Sequence, residues 1–148
     1  MRYAIVMAFL VSLISVGAAT SSALAGEARN ATLFKDPQCS CCEGYADYLR
    51  ANGFDVKIVN THDLSMINEQ HGVPADLQGC HVTMIDGYVV GGHVPVKIIK
   101  RLLSEKPKIT GITLPGMPEG SPGMYGKKTG PFQIYEIGSG PKRIYATE

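Results

Sequence analysis

Alternation and helical spacing divide much of the chain into short segments. Ala31-Thr32-Leu33-Phe34 carries the β-branched and aromatic residues that a pleated surface favours, and Asp36-Pro37 ends it, which predicts a first strand. From Cys41 to Ala51, Tyr45, Tyr48 and Leu49 recur at three- and four-residue spacing and predict one face of a helix, closed by Asn52-Gly53. Phe54-Asp55-Val56-Lys57-Ile58-Val59 alternates apolar with polar and predicts a second strand. Asp63 is placed to cap a short helix running to about His71, which Gly72 and Pro74 end. Cys80 to Ile85 and Tyr88-Val89-Val90 flank Asp86-Gly87, a strong two-residue hairpin signal, and predict two antiparallel strands. After Gly91-Gly92-His93-Val94-Pro95 comes a helix with Val96, Ile98, Ile99, Leu102 and Leu103 on its apolar face and Lys97, Lys100 and Arg101 on its solvated one. Pro107 stops it.

The order β-α-β-α-β-β-α predicts an α/β fold with a central four-stranded mixed sheet flanked by helices. Beyond Pro107 the pattern changes. Gly and Pro dominate from Gly111 to Pro131, and Pro115-Gly116-Met117 is echoed as Pro122-Gly123-Met124. Phe132 to Ile137 alternates again, but the sequence names no partner strand for it. The expected organisation is a core domain over residues 26–110 and a Gly/Pro- and Met-containing C-terminal extension, 111–148, packed on the same domain.

The first 25 residues stand apart. Arg2 precedes an uncharged apolar run from about Tyr3 to Val16, and Ala23-Leu24-Ala25 is a small-x-small cleavage pattern. The run is shorter than the roughly 20 residues a spanning helix needs, so residues 1–25 read as a cleaved signal peptide and the mature protein as exported. Removing Arg2 from the 14 basic residues leaves 13 against 13 acidic ones. That balance carries no electrostatic footprint for nucleic acid or for a membrane surface, which directs attention to a small ligand.

Cysteine usage narrows the chemistry. Cys39, Cys41 and Cys42 fall within four consecutive residues, and Cys80 is the one other cysteine. In an oxidising compartment four thiols would by default form two structural disulfides, but a bridge inside this cluster closes a tiny loop and removes little unfolded-state entropy. The cluster lies between the first strand and the first helix, where unpaired backbone N–H groups and the positive end of the helix dipole favour thiolate. Cys39-x-x-Cys42 in that context is a thioredoxin-like redox pair, and the element order fits the same topology by analogy.

Cys41 is the thiol that a dithiol enzyme does not need, because it would compete in exchange. Three convergent thiolates suit a soft d-block metal, and Cys80-His81 offers a fourth sulfur and an imidazole. His93 sits beside Gly91-Gly92, where backbone can approach a ligand closely. Met117 and Met124 are thioethers in a loop with little helix or strand context; thioether and thiolate together select Cu(I), while the alternative is that both pack the loop onto the core. Tyr45, Tyr48 and Tyr88 read as packing. No nucleophile elbow, phosphate-cradling loop, H-E-x-x-H or dinucleotide fingerprint is present, and a Cys-His hydrolase gains nothing from two neighbouring thiols. Metal binding, thiol redox chemistry and structural bridging remain as the readings of the cluster.

Three stretches, LFKDPQCSCCEGYADYLRANGFDV, GVPADLQGCHVTMIDGYVVGGHVP and LPGMPEGSPGM, together resemble the CopG-type copper-resistance proteins, a family often described only as a domain of unknown function. The similarity runs from about Ala31 to Met124. It implies a periplasmic, thioredoxin-like copper-binding protein that helps bacteria withstand copper and interconverts Cu(I) and Cu(II). Cys39, Cys41, Cys42 and Cys80 match the family's cysteines, His81 and His93 its CH and GHVP positions, and Met117 and Met124 its PGMP and SPGM positions. These are the expected metal ligands, with Cys39 and Cys42 as the redox pair, and the family's sulfur-rich cluster can hold several copper ions. Expected partners are copper itself and other periplasmic copper-handling proteins or an electron partner. The alternatives are a thiol-disulfide oxidoreductase using Cys39 and Cys42, and a passive copper carrier. Ser40, Tyr45 and Tyr48 stand where many relatives carry Gly, Trp and His, so no histidine contributes from the first helix.

Overall fold

A computed structural model of the chain describes residues 28–148; the expected signal peptide, residues 1–25, lies outside the described residues. The elements run β1 (Arg29–Lys35), α1 (Ser40–Ala51), β2 (Phe54–Asn60), α2 (Leu64–Gln70), a 3-10 turn (Ala75–Leu77), β3 (His81–Ile85), β4 (Tyr88–Gly92), α3 (Val96–Glu105), β5 (Gly111–Leu114), β6 (Gln133–Ile137) and β7 (Ile144–Thr147). Every helix and strand expected before Pro107 is present within a residue or two at each end. Asp63 stands at the start of α2 without a side-chain cap bond, and Asp86-Gly87, both at positive φ, form the β3–β4 turn.

The mixed sheet has seven strands, in the order β2-β1-β3-β4-β5-β6-β7, and this corrects the expected four. The expected four are its first half: β1 runs parallel to β2 and antiparallel to β3, which pairs antiparallel with β4. The added half comes from residues 111–148. β5 lies parallel to β4, and β6 and β7 follow antiparallel. β5 escapes a reading by alternation because all four of its residues are buried, so it has no polar face. Gly111 opens it because a Cβ there would lie 1.8 Å from the Val89 carbonyl oxygen, and Pro115 follows its end. A segment that looks like Gly/Pro loop is therefore partly sheet.

One face of the sheet packs under α1 and α3, where Leu33, Tyr45, Leu49, Val90, Ile99, Leu102 and Ile112 are buried. The other face carries a smaller cluster of Val73, Leu77, Val82, Val89 and Ile137. Burial of that α1–α3 face holds α1 with its N-terminus over the C-terminal end of β1 and the start of β3. Among the described residues no helix is long and apolar enough to cross a membrane.

Candidate metal centre

The link from β1 to α1 is built by Asp36. Its carboxylate accepts the Gln38 N–H at 2.8 Å and its carbonyl accepts the Cys39 N–H at 3.0 Å, a tight turn that delivers Cys39 to the N-cap of α1. Cys39 makes no side-chain cap bond, so the N–H groups of the first turn stay available around the thiols. Helical geometry then points Cys42 and Tyr45 inward, and both are fully buried. Cys80 arrives from the other side, immediately before β3, whose His81 lies opposite Lys35 of β1 in the sheet register.

The four sulfurs converge. Cys39 and Cys42 are joined as a disulfide, while Cys41 and Cys80 are free. Cys41 Sγ lies 3.4 Å from Cys39 Sγ and 3.8 Å from Cys80 Sγ, and Cys42 Sγ lies 3.3 Å from Cys80 Sγ. A tetrahedron of sulfurs about a metal at roughly 2.3 Å has an edge of about 3.8 Å, so these separations already approach those of a thiolate site. Cys80 is the hub, because its thiol also faces Met117 Sδ at 3.3 Å and His81 Nδ1 at 3.7 Å. Burial, then the neighbouring Cys41, pushes the Cys80 thiol up to about 12, so without a metal it keeps its proton.

Two imidazoles back the sulfurs. His81 Nε2 contacts the Gly92 carbonyl at 3.1 Å and His93 Nδ1 the Pro122 carbonyl at 2.7 Å. A carbonyl only accepts, so those nitrogens carry the hydrogens and His81 Nδ1 and His93 Nε2 present lone pairs. His93 Nε2 is buried without a partner. One ligand atom from each histidine and the Cys80 sulfur lie within 4.8 Å of one another. Burial, reinforced by His93, lowers His81 to about 3, and burial also lowers His93. Both rings are neutral at physiological pH, and each is oriented by a backbone acceptor on its far nitrogen, the usual preparation of a metal-binding histidine.

Met117 and Met124 separate. The Met117 sulfur touches Cys80 and its backbone sits at φ +47° in the half-exposed loop. Among the described residues no hydrogen bond links the Met124 thioether to a cysteine; its backbone N–H bonds the Ser121 carbonyl, and the side chain is half-buried. The second PGM segment instead closes the loop onto α1. Gly123, at φ +79°, lies so close that a Cβ would stand 2.5 Å from the Tyr45 nitrogen, which only glycine permits.

Two residues escape a sequence reading. Tyr45 reads there as packing, yet its ring lies 4.8 Å from that of His81 and 5.2 Å from that of His93, walling the imidazoles, while its hydroxyl donates to the Val94 carbonyl at 2.8 Å. Its place one turn beyond Cys41 and Cys42 on the helix is the available clue. Lys35 is 1% exposed at the end of β1 beside the cluster, and no pattern in the sequence marks it as buried.

A mixed α/β domain with a CxxC disulfide at a helix N-terminus, a third thiol beside it and a fourth across the sheet defines a thioredoxin-like protein with a metal-competent sulfur site. Residues 77–124 match the model of a protein family of unknown function, DUF411. No curated protein matches the chain. Two solved structures do: copper resistance protein CopG, form 2, at 35% identity and TM-score 0.76, covering 82% of this chain and 99% of that one, and its form 1, at 35% and 0.75, covering 82% and 98%. The chain belongs to the CopG family.

Proposed function

We propose that the chain is a periplasmic copper-binding protein of copper resistance, exported through its N-terminal signal, that holds Cu(I) in the cysteine cluster and interconverts Cu(I) and Cu(II). The observation that carries the reading is the convergence of four sulfurs within 4.8 Å of one another, with a Cys80-His81-His93 group sharing one of them. Soft thiolates select Cu(I), while neutral imidazole also accepts Cu(II), so the mixed set keeps both states accessible. The names of the solved relatives, copper resistance proteins, support copper over other soft metals.

The residues divide the work. With the Cys39–Cys42 disulfide formed, Cys41, Cys80, Met117, His81 and His93 remain as donors. Reduction by an external dithiol, which closes to its own disulfide, breaks the S–S bond with two electrons and adds two thiolates. In the reverse direction the dithiolate closes to the disulfide, and its two electrons reduce two Cu(II) to two Cu(I). Cys80 gives up its proton as metal binds, so binding releases protons and strengthens with pH. Several ions fit a cluster in which one sulfur contacts three others and an imidazole.

The test is anaerobic titration of Cu(I) into the reduced protein against a competing chelator. At least one Cu(I) per chain is expected, with affinity lost in Cys41→Ser; a stoichiometry below one, or an unchanged Cys41→Ser, sinks the metal reading. The disulfide favours a second reading, a thiol-disulfide oxidoreductase. It requires that Cys41→Ser keep full disulfide-exchange activity with a protein substrate. Osmotic-shock fractionation tests the compartment.

A further inference from the structure

Lys35 is the one lysine buried to 1% exposure among the described residues, and it stands at the C-terminal end of β1. Its ammonium reaches three oxygens, the Pro37 carbonyl, the Asn60 side-chain oxygen and a Glu43 carboxylate oxygen, each at 3.4 Å. All three are longer than the usual 2.9–3.0 Å of an N–H···O bond. Only Glu43 brings negative charge, and it is 65% exposed, so water screens it. A buried ammonium compensated so loosely is costly unless another anion answers it.

The groups beside it that can take up negative charge on reduction are the thiols of the cluster. Pro37, which the ammonium touches, leads two residues later into Cys39, and Glu43 follows Cys42 directly in the first turn of α1. Across the sheet, Lys35 is paired in register with His81, the residue next to Cys80. The ammonium thus contacts both the turn that leads into the cluster, at Pro37, and the first turn of α1, at Glu43.

We propose that Lys35 is a positioning residue that supplies a fixed positive charge to the cysteine cluster, stabilising the reduced, anionic thiols against the Cys39–Cys42 disulfide. Reduction of that disulfide by an external dithiol breaks the Cys39–Cys42 bond, takes two electrons and yields two thiolates, while the external dithiol closes to its own disulfide. A cation beside the product raises the midpoint potential of this couple and keeps the ligand set in its metal-ready form. The inference rests on the thiols of the proposed copper site. Because the experiment contains no copper, its failure leaves the metal reading standing, and a failed copper titration leaves this charge effect to be judged by itself.

The measurement is equilibration of the metal-free protein in oxidised and reduced dithiothreitol at about pH 9, above the ordinary cysteine value of about 8.5, with the thiol fraction read by alkylation. Lys35→Met is expected to shift the exchange constant toward the disulfide by about tenfold, about 30 mV more negative for a two-electron couple, and Lys35→Arg to stay within about threefold of the native protein. Lys35→Met that remains folded by circular dichroism and stays within about twofold of native overturns the proposal. Should Lys35→Met not fold, Lys35→Gln decides, because it keeps a donor for the Pro37 and Asn60 oxygens while removing the charge: the same shift toward the disulfide is expected, and an exchange constant within about twofold of native overturns the proposal.

Discussion

The two halves of the site are prepared in opposite ways. The imidazole half is finished before any ligand arrives: His81 and His93 are buried, neutral and locked by the Gly92 and Pro122 carbonyls, with Tyr45 against both rings. The sulfur half is conditional. Two of its thiols are tied in a disulfide and Cys80 keeps its proton, so electrons must enter and a proton must leave before all four can bind. In the proposed copper site this difference divides the roles: the histidines would supply geometry that does not vary, and the cysteines the state that does.

Breaking the junction between the halves has the largest expected effect. Cys80 contacts Cys41, Cys42, Met117 and His81, so Cys80→Ser removes the atom that both ligand groups share. Cu(I) affinity is expected to fall at least a thousandfold, about 4 kcal/mol, by chelator competition. That exceeds the roughly 10–100-fold typical of losing an outer-shell partner of a metal. A smaller loss would mean the halves do not work as one site.

Acid separates the halves by a different route. His81 is held at about 3 in the fold and has an ordinary value near 6.5 when unfolded, so the unfolded chain binds the extra proton as pH drops below about 6.5. The stability attached to the neutral ring is fully present above that value and is lost as pH falls toward 3. For His81 alone the slope is about 1.4 kcal/mol per pH unit, or about 3 kcal/mol by pH 4.5. Buried His93 adds to it in the same direction. Urea unfolding of the metal-free protein between pH 7 and pH 4.5 is expected to show this slope, flattened in His81→Asn, while Cu(I) binding above pH 5 follows the thiols and not these rings.

The same contrast explains what the sequence could disclose. The sulfur half is mostly local: three cysteines in four residues announce themselves, and helix phase carries Cys42 inward. The first four strands are legible for a related reason, since alternation and the Asp86-Gly87 turn are short-range signals. The imidazole half depends on return contacts. His93 is fixed by Pro122, 29 residues later, and no local pattern reports that. Met117 and Met124 have the same Pro-Gly-Met context, yet only the first is brought to Cys80; the loop's path decides, not the motif. β5 is hidden because its full burial erases alternation, and Lys35 because a lysine at a strand end normally reaches water.

The loop that joins the halves offers a smaller lever. Gly123 lies against the backbone of α1 at positive φ, while Pro122 before it anchors His93. Gly123→Ala therefore forces the loop off the helix and costs about 2 kcal/mol, the middle of the range for a strained backbone position. Urea unfolding of the metal-free protein checks it. The anchor of His93 loosens at the same time, so Cu(II) affinity should fall with little change in the Cys39–Cys42 midpoint, which belongs to the sulfur half.

Met117 gives the finest test because its thioether stands at the exposed edge of the sulfur group. Met117→Leu keeps volume and apolar character while deleting one soft donor, so the fold should be unaffected. Sulfur contact with Cys80 is the only link that the side chain makes to the thiols among the described hydrogen bonds, and the residue is 39% exposed, so water can take its place. Cu(I) affinity is expected to fall about fivefold, about 1 kcal/mol. Cu(II) affinity should hold, because thioether is too soft to matter there. Met124→Leu, in the matching motif but without that contact, should change neither. An equal loss from both substitutions would show that the loop, and not the Met117 sulfur, is what the cysteines need.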